Sequence, residues 1–244
     1  MSADPEAARA EAVAFSTLTQ LGYKVEVNED AAEGGADFLC IGKEGRMIVE
    51  VHCVQSSTVA ENSGWPVEVK PEVHSFGPIT DVIRQCASTK VSQLADHPVP
   101  RVLWLTTEHM GGSFFFGPLG ARDIMTSDTK ISMPVGMPDP PISQITELKE
   151  SAFFKFDRGG KVEPCRRSIS ALLLGLVHGE GIDLTGLLHP APAVEFPIRM
   201  LPKVPFLRVS NWPFIAGKIE LEWTISRPRA KRVFYWADTG KEAS

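Results

Sequence analysis

The chain has 244 residues, of which 43% are hydrophobic and 23% are charged. This composition excludes wholesale disorder, because a disordered chain needs low hydrophobicity together with a high net charge. A formal net charge of −5 also excludes a strong general attraction for nucleic acid. The length suits one large domain or two small ones.

The first predicted element is a helix between Asp4 and Gly22. Asp4 is suited to cap its N-terminus, Pro5 suits its first turn, and Gly22 suits its end. Apolar residues recur at helical spacing, at Ala8, Ala12, Phe15, Leu18 and Leu21. Glu11 borders this apolar stripe, so the helix carries an acid near its predicted buried face.

Three strands are predicted next. Tyr23, Val25 and Val27 alternate with polar residues, as in a half-buried strand. Residues 37–41 form the second strand, and a tight turn at 43–45 leads into the third, over residues 47–54. The third strand is apolar at nearly every position, which indicates a central strand covered on both faces.

A long connection and a second helix follow. Residues 55–78 have no firm period and predict a binding loop or a protruding hairpin. A helix is predicted over about 80–95, and the apolar run at 101–107 predicts another buried strand. The order helix, three strands, helix, strand indicates an α/β fold with a mixed β-sheet flanked by helices.

The second half of the chain has a different sequence pattern from the first. Residues 168–176 fit either a helix or a buried strand, and prolines recur after residue 190, which opposes long helices. Strands are predicted at 218–225 and 232–236. We therefore divide the chain into a core at 1–108 and a β-rich C-terminal extension at 109–244, which is expected to bind substrate or a partner.

The chain is expected to be cytoplasmic and to have no membrane partner. Its apolar runs are too short to cross a bilayer, and residues 1–10 have no apolar signal core. The four cysteines form no C-x-x-C pair, so a zinc site made of cysteines is not expected.

Polar residues interrupt the predicted central strands. Glu50 and His52 lie two apart on the third strand and so share one face, and Asp37 begins the strand before it. If the turn centres near Glu44, antiparallel pairing places Asp37 opposite about Val51. Two neighbouring carboxylates are costly to bury unless a cation compensates them, and Mg²⁺ favours one or two carboxylates with open water positions.

This order of residues resembles the PD-(D/E)xK nuclease superfamily, which has the restriction-endonuclease-like fold. Residues 11–25 (EAVAFSTLTQLGYKV) are similar to the first helix of its Holliday-junction-resolvase-like and Mrr-like members. The Ala36–Asp37 step stands where the family has Pro-Asp, and the helix and strand at 80–107 look like the elements that follow. The resemblance covers about the first 108 residues.

The resemblance implies a Mg²⁺-dependent, or Mn²⁺-dependent, DNA endonuclease. Asp37 and Glu50 would hold the metal, and Glu11 would support it from the first helix. His52 stands where the family has its lysine, and a histidine is largely uncharged near neutral pH. Either His52 acts on the attacking water, or Lys90 reaches in from the second helix, or the site has lost catalysis.

Two other readings stay open beside the endonuclease. One is a catalytically inactive nuclease-fold module that binds nucleic acid or protein, and the other is a β-rich interaction protein whose likeness to nucleases is coincidental. A basic and aromatic segment near the C-terminus is a candidate nucleic-acid contact, with Arg227, Arg229, Lys231 and Arg232 as its bases. DNA is the expected partner, RNA is not excluded, and a homodimer is kept open.

Overall fold

The structure of the chain is a computed structural model. The residues that it describes are 4–28, 35–63, 77–91, 94, 97–109, 112, 116–126, 129–132, 143–146, 151–158, 161–178, 181–214 and 219–225. The basic segment with Arg227, Arg229, Lys231 and Arg232, and the strand predicted at 232–236, lie outside these residues.

The described elements comprise four α-helices, one short 3-10 helix and twelve strands. The helices are α1 (Pro5–Gln20), α2 (Ser56–Ser63), α3 (Gly77–Thr89) and α4 (Pro118–Thr126), with the 3-10 turn at Ile198–Met200. The strands are β1 (Lys24–Val27), β2 (Phe38–Gly42), β3 (Gly45–Cys53), β4 (Arg101–Thr107), β5 (Thr129–Ser132), β6 (Ser143–Thr146), β7 (Phe154–Phe156), β8 (Val162–Pro164), β9 (Ala171–His178), β10 (Gly181–Leu188), β11 (Phe206–Val209) and β12 (Leu221–Trp223).

The predicted limits of α1 are confirmed, but its buried face is not the predicted one. The Asp4 carboxylate accepts the N–H of Glu6 at 3.0 Å, and Gly22 leaves the helix with a φ of +92°, which favours glycine. The buried stripe runs along Ala10, Ala14 and Leu18, whereas Ala8, Ala12 and Phe15 are exposed. Small alanines mark both faces of this helix, so the sequence pattern selected the wrong alanines.

Eight strands form one mixed sheet in the order β1-β2-β3-β4-β9-β10-β11-β12. The first three are antiparallel, β3, β4 and β9 run parallel, β10 turns back on β9, and β11 runs parallel to β10. The fold is therefore α/β, with a mixed sheet flanked by helices. Strand β4 matches its predicted limits and is buried at every position, because helices or loops cover both faces of the sheet.

Each face of the sheet carries its own core. On one face α1 packs against alternate residues of β3, including Val49 and Val51. On the other face α3 and α4 pack with Ile48 of β3 and with alternate residues of β4, including Leu103 and Leu105. Since successive strand residues point to opposite faces, Glu50 and His52 belong to the face that α3 covers.

Part of the C-terminal half belongs to this same sheet. Strand β9 pairs in parallel with β4, with Val102 level with Ala171 and Thr107 level with Leu176. The division drawn at residue 108 therefore falls between strands of one continuous sheet. The region after it is β-rich among its described residues, but it also contains α4.

Four sequence expectations need revision. Residues 168–176, left open between helix and strand, lie mostly in β9. The connection at 55–78 begins with helix α2, which the sequence did not predict. Within the described part of the strand predicted at 218–225, residues 219–225, the strand is the three residues of β12. The helix predicted at 80–95 is α3, which starts at Gly77 and ends at Thr89.

No helix among the described residues is both long enough and apolar enough to cross a membrane.

Candidate active site at the end of the β2–β3 ladder

Glu50 is a buried acid on the central strand β3. Its exposed fraction is only 1%, and His52, two residues further on, is half-buried on the same face. Strand β4 lies alongside, with Glu50 level with Leu103 and His52 level with Leu105. An ionisable side chain in such apolar surroundings needs a compensating partner.

Asp37 lies beside this strand at the point where β2 begins. The last residue pair of the ladder is Phe38 with Val49, which puts Asp37 level with Glu50, one residue from the predicted position opposite Val51. The Asp37 carboxylate accepts the backbone N–H of Val51 at 2.6 Å. The Val51 N–H points toward β2 just beyond the last residue pair of the ladder. The Asp37 carboxylate satisfies this donor, and the bond fixes Asp37 next to Glu50.

Lys90 supplies the partner of Glu50 from the end of α3. Its Nζ donates to Glu50 Oε1 at 2.8 Å, and the lysine side chain is 24% exposed. Lys90 follows Ile83 and Ala87 by seven and three residues, so it continues the stripe with which α3 contacts the core. The sequence offers a Lys90 that reaches into the site as one of three options, and the structure brings Lys90 to Glu50.

Burial dominates the electrostatics of Glu50. It raises the pKa of the carboxyl to about 7; the negative charge of Asp37 adds to the increase, while the Lys90 ammonium opposes it. Glu50 Oε2 is buried and has no hydrogen-bond partner among the described residues. Near neutral pH both forms of this carboxyl are therefore populated.

His52 is uncharged at neutral pH. Burial lowers its pKa from the ordinary value, and the nearby Lys90 cation lowers it further. A neutral imidazole is able to accept a proton but adds no positive charge. The cation beside Glu50 comes from Lys90, on a different element.

Glu11 does not join these residues. It is an exposed residue of α1, and α1 packs on the face of the sheet opposite to the one that carries Glu50 and His52. Four of the five predicted catalytic residues, Asp37, Glu50, His52 and Lys90, are thus brought to one end of the β2–β3 pair, and Glu11 is not.

A divalent cation has two acidic side chains available here, Asp37 and Glu50. The described residues contain no group of three or more histidine, cysteine or acidic side chains placed to hold a metal. Mg²⁺ is commonly bound by only one or two carboxylates, with water and substrate oxygens completing its shell. The buried, unpartnered Glu50 Oε2 fits such a ligand, because metal binding would satisfy an oxygen that otherwise has no partner.

A second group of charged residues lies away from these four. Arg84 of α3 and Arg166 before β9 line a common cavity, although they are 82 positions apart in the chain. The sequence offers the Arg166–Arg167 pair as a further candidate nucleic-acid contact, similar to the basic segment near the C-terminus, but nothing local links Arg166 to Arg84. Their shared place in this cavity is therefore visible only in the fold.

No protein-family model, no curated protein and no solved structure matches the chain. Function therefore has to be inferred from the geometry of Asp37, Glu50, His52 and Lys90.

Proposed function

We propose that the chain is a Mg²⁺-dependent DNA endonuclease of the PD-(D/E)xK type, with the restriction-endonuclease-like fold. The order α1, β1, β2, β3, α3, β4, with the short α2 between β3 and α3, supports this assignment. The observation that carries it is the contact between Lys90 and the buried Glu50, with Asp37 beside them on the neighbouring strand. Two acids and a lysine from separate elements thus meet at one place in the sheet.

Each residue has a role in this proposal. Asp37 and Glu50 hold Mg²⁺ or Mn²⁺, which when bound polarises the scissile phosphate and lowers the pKa of a water molecule. Lys90 favours the ionised form of Glu50, which is the form that binds a cation. His52, neutral at the working pH, accepts a proton from the attacking water. Glu11 has no role, because α1 lies on the other face of the sheet.

The proposal includes a cytoplasmic location and DNA as the substrate. The four cysteines are free thiols, which suits a reducing compartment. Cleavage of RNA is an alternative outcome, which assays on a panel of DNA and RNA substrates would detect. A homodimer is a further alternative, which the molecular mass in solution would detect.

A second candidate function is a catalytically inactive module that keeps the nuclease fold and binds nucleic acid or protein. The observation in its favour is that Glu50 already has a cationic partner in Lys90, while histidine stands at the motif-lysine position. In this reading Lys90 replaces the metal as the compensating charge, and no divalent cation binds.

Cleavage of DNA by the purified chain tests the proposal. We expect supercoiled and linear DNA to be cut in the presence of Mn²⁺ or Mg²⁺ and not in excess EDTA. Asp37→Asn and Glu50→Gln should each lower the rate at least about a hundredfold, because each removes a ligand of the proposed metal. The readout is the initial rate of cleavage on agarose gels.

Glu195→Gln is the matched control, because Glu195 is an exposed acid in the loop after β10, on a different element from those that form the site. It should cut at the wild-type rate. Metal-independent cutting, or wild-type rates in both site variants while far-ultraviolet circular dichroism reports an intact fold, would exclude the proposed site.

A further inference from the structure

A basic cavity of about 620 Å³ lies on the side of α3 that faces away from the sheet. Three of the described residues that line it are cationic, Arg84, Lys155 and Arg166, and one is acidic, Asp81. Glu163 faces Lys155 across the β7–β8 ladder but does not line the cavity. The lining therefore has an excess of two positive charges in a chain whose net charge is −5.

This cavity is separate from the candidate active site. Helix α3 uses the stripe of Ile83 and Ala87, continued by Lys90, to contact the core and Glu50. The cavity instead involves Asp81, Gln85 and Ser88, which are exposed. At 100° per residue these positions lie on the opposite side of the helix.

Arg166 is held in place by the backbone around it. Its Nη1 donates to the carbonyl of Ala152 at 2.7 Å and to that of Ser151 at 3.3 Å. The residue adopts a φ of +56°, a left-handed conformation that is uncommon for a non-glycine residue and costs energy. Its Nε is buried and has no partner among the described residues. The guanidinium is thus fixed at the wall of the cavity.

Arg84 also lines the cavity and is held in place. Its Nη1 pairs with Asp81, and its Nη2 donates to the carbonyl of Asp123 at 3.1 Å, while the side chain is only 6% exposed. Lys155 is exposed and adds a cation. Two fixed guanidinium groups and an ammonium give the wall of the cavity a positive potential, and cations of these types are the ones that recognise phosphate.

We propose that this cavity binds the phosphate group of a small phosphorylated molecule. A phosphomonoester carries a charge between about −1.5 and −2 at neutral pH, which matches the two excess positive charges of the lining better than a single carboxylate does. The cavity is also larger than one phosphate group needs, which leaves space for the body of the molecule beside Phe154. This site does not depend on the proposed nuclease activity.

Titration calorimetry with inorganic phosphate and with phenyl phosphate tests the proposal, with sodium acetate and sodium chloride at matched ionic strength as comparison anions. We expect both phosphates to bind with millimolar or better affinity and acetate to bind at least about tenfold more weakly. Gln85→Glu places a negative charge on an exposed helix position of the lining and should weaken phosphate binding at least about tenfold without disturbing the core. Lys155→Gln should weaken it by roughly fivefold.

Arg158→Gln is the control, because Arg158 is an exposed base near Lys155 that does not line the cavity. It should leave the affinity unchanged. Cys165 supplies an independent readout, since its thiol lines the cavity and bound phosphate should slow its alkylation, followed by peptide mass spectrometry. Phosphate binding no tighter than that of chloride, or equal affinity in Gln85→Glu and the wild type, would overturn the proposal.

Discussion

Glu50 is the residue on which the candidate site depends. Burial raises its pKa to about 7, far above the ordinary value of 4.5, even though Lys90 lies at hydrogen-bond distance. The folded chain therefore holds this proton more tightly than the unfolded chain does. The protonated Glu50 therefore adds to the free energy of unfolding in full below about pH 4.5. This contribution, on the order of 3 kcal/mol, is lost as the pH rises through about 7.

Replacing Lys90 tests how much the ion pair with Glu50 contributes to stability at high pH. In Lys90→Met the pKa of Glu50 rises further, so at pH 5 the carboxyl stays protonated and the free energy of unfolding should change little. At pH 8 the variant must either bury an unpaired Glu50 carboxylate or keep it protonated at a pH above its pKa in the wild type. We therefore expect the free energy of unfolding to fall by about 2–4 kcal/mol. Urea unfolding followed by tryptophan fluorescence at the two pH values measures the difference.

Lys24→Met provides the comparison for this experiment. Lys24 pairs with Glu26 at the surface, where an ion pair contributes little. The free energy of unfolding of this variant should therefore fall by less than about 1 kcal/mol at both pH values. Equal losses at pH 5 and pH 8 in Lys90→Met would mean that the ion pair with Glu50 does not govern the electrostatics of the site.

At the scale of single elements, the sequence predicts the limits of those helices and strands that local signals determine. The cap at Asp4 and the glycine at position 22 mark the ends of α1, and the apolar run at 101–107 marks β4. The turn at 43–45 sets the β2–β3 register, which brings Asp37 beside Glu50 to within one residue of the prediction. These features depend on neighbours in the chain or on a short hairpin.

Features that depend on distant packing are less accessible to prediction. Which alanines of α1 are buried is decided by the sheet surface beneath the helix, and residues 171–178 become a strand because β4 and β10 lie on either side. The contact of Lys90 with Glu50 joins residues forty positions apart and depends on how α3 docks. For that reason the sequence offered Lys90 only as one of several options.

At the scale of the whole molecule, one sheet joins the two halves of the chain. Strand β4 lies between β3 and β9, and its residues Val102, Leu103, Trp104 and Leu105 are fully buried. Removing everything after residue 108 would leave β4 as an exposed apolar edge, which favours aggregation.

We therefore expect the fragment of residues 1–108 to fail to fold independently. Heteronuclear NMR and thermal unfolding followed by circular dichroism should find no dispersed spectrum and no cooperative transition, in contrast to the full chain. A fragment that melts cooperatively would mean that residues 1–108 are an autonomous domain after all.

The distribution of charge also belongs to this scale. Residues 201–244 contain eight basic and four acidic residues, so the remainder of the chain is strongly acidic. The contact with a DNA backbone that the proposed function requires would be local rather than a property of the whole surface, and its affinity would fall steeply with salt if it involved several phosphates.

The central claim is that Asp37 and Glu50 bind one divalent cation. Titration calorimetry with Mn²⁺ at pH 8 measures this directly on the wild type and on Glu50→Gln. We expect one site per chain in the wild type, with protons released on binding because part of Glu50 must ionise, and at least about a tenfold loss of affinity in the variant. No binding of Mn²⁺ at millimolar concentration, or identical binding in both proteins, would contradict the claim.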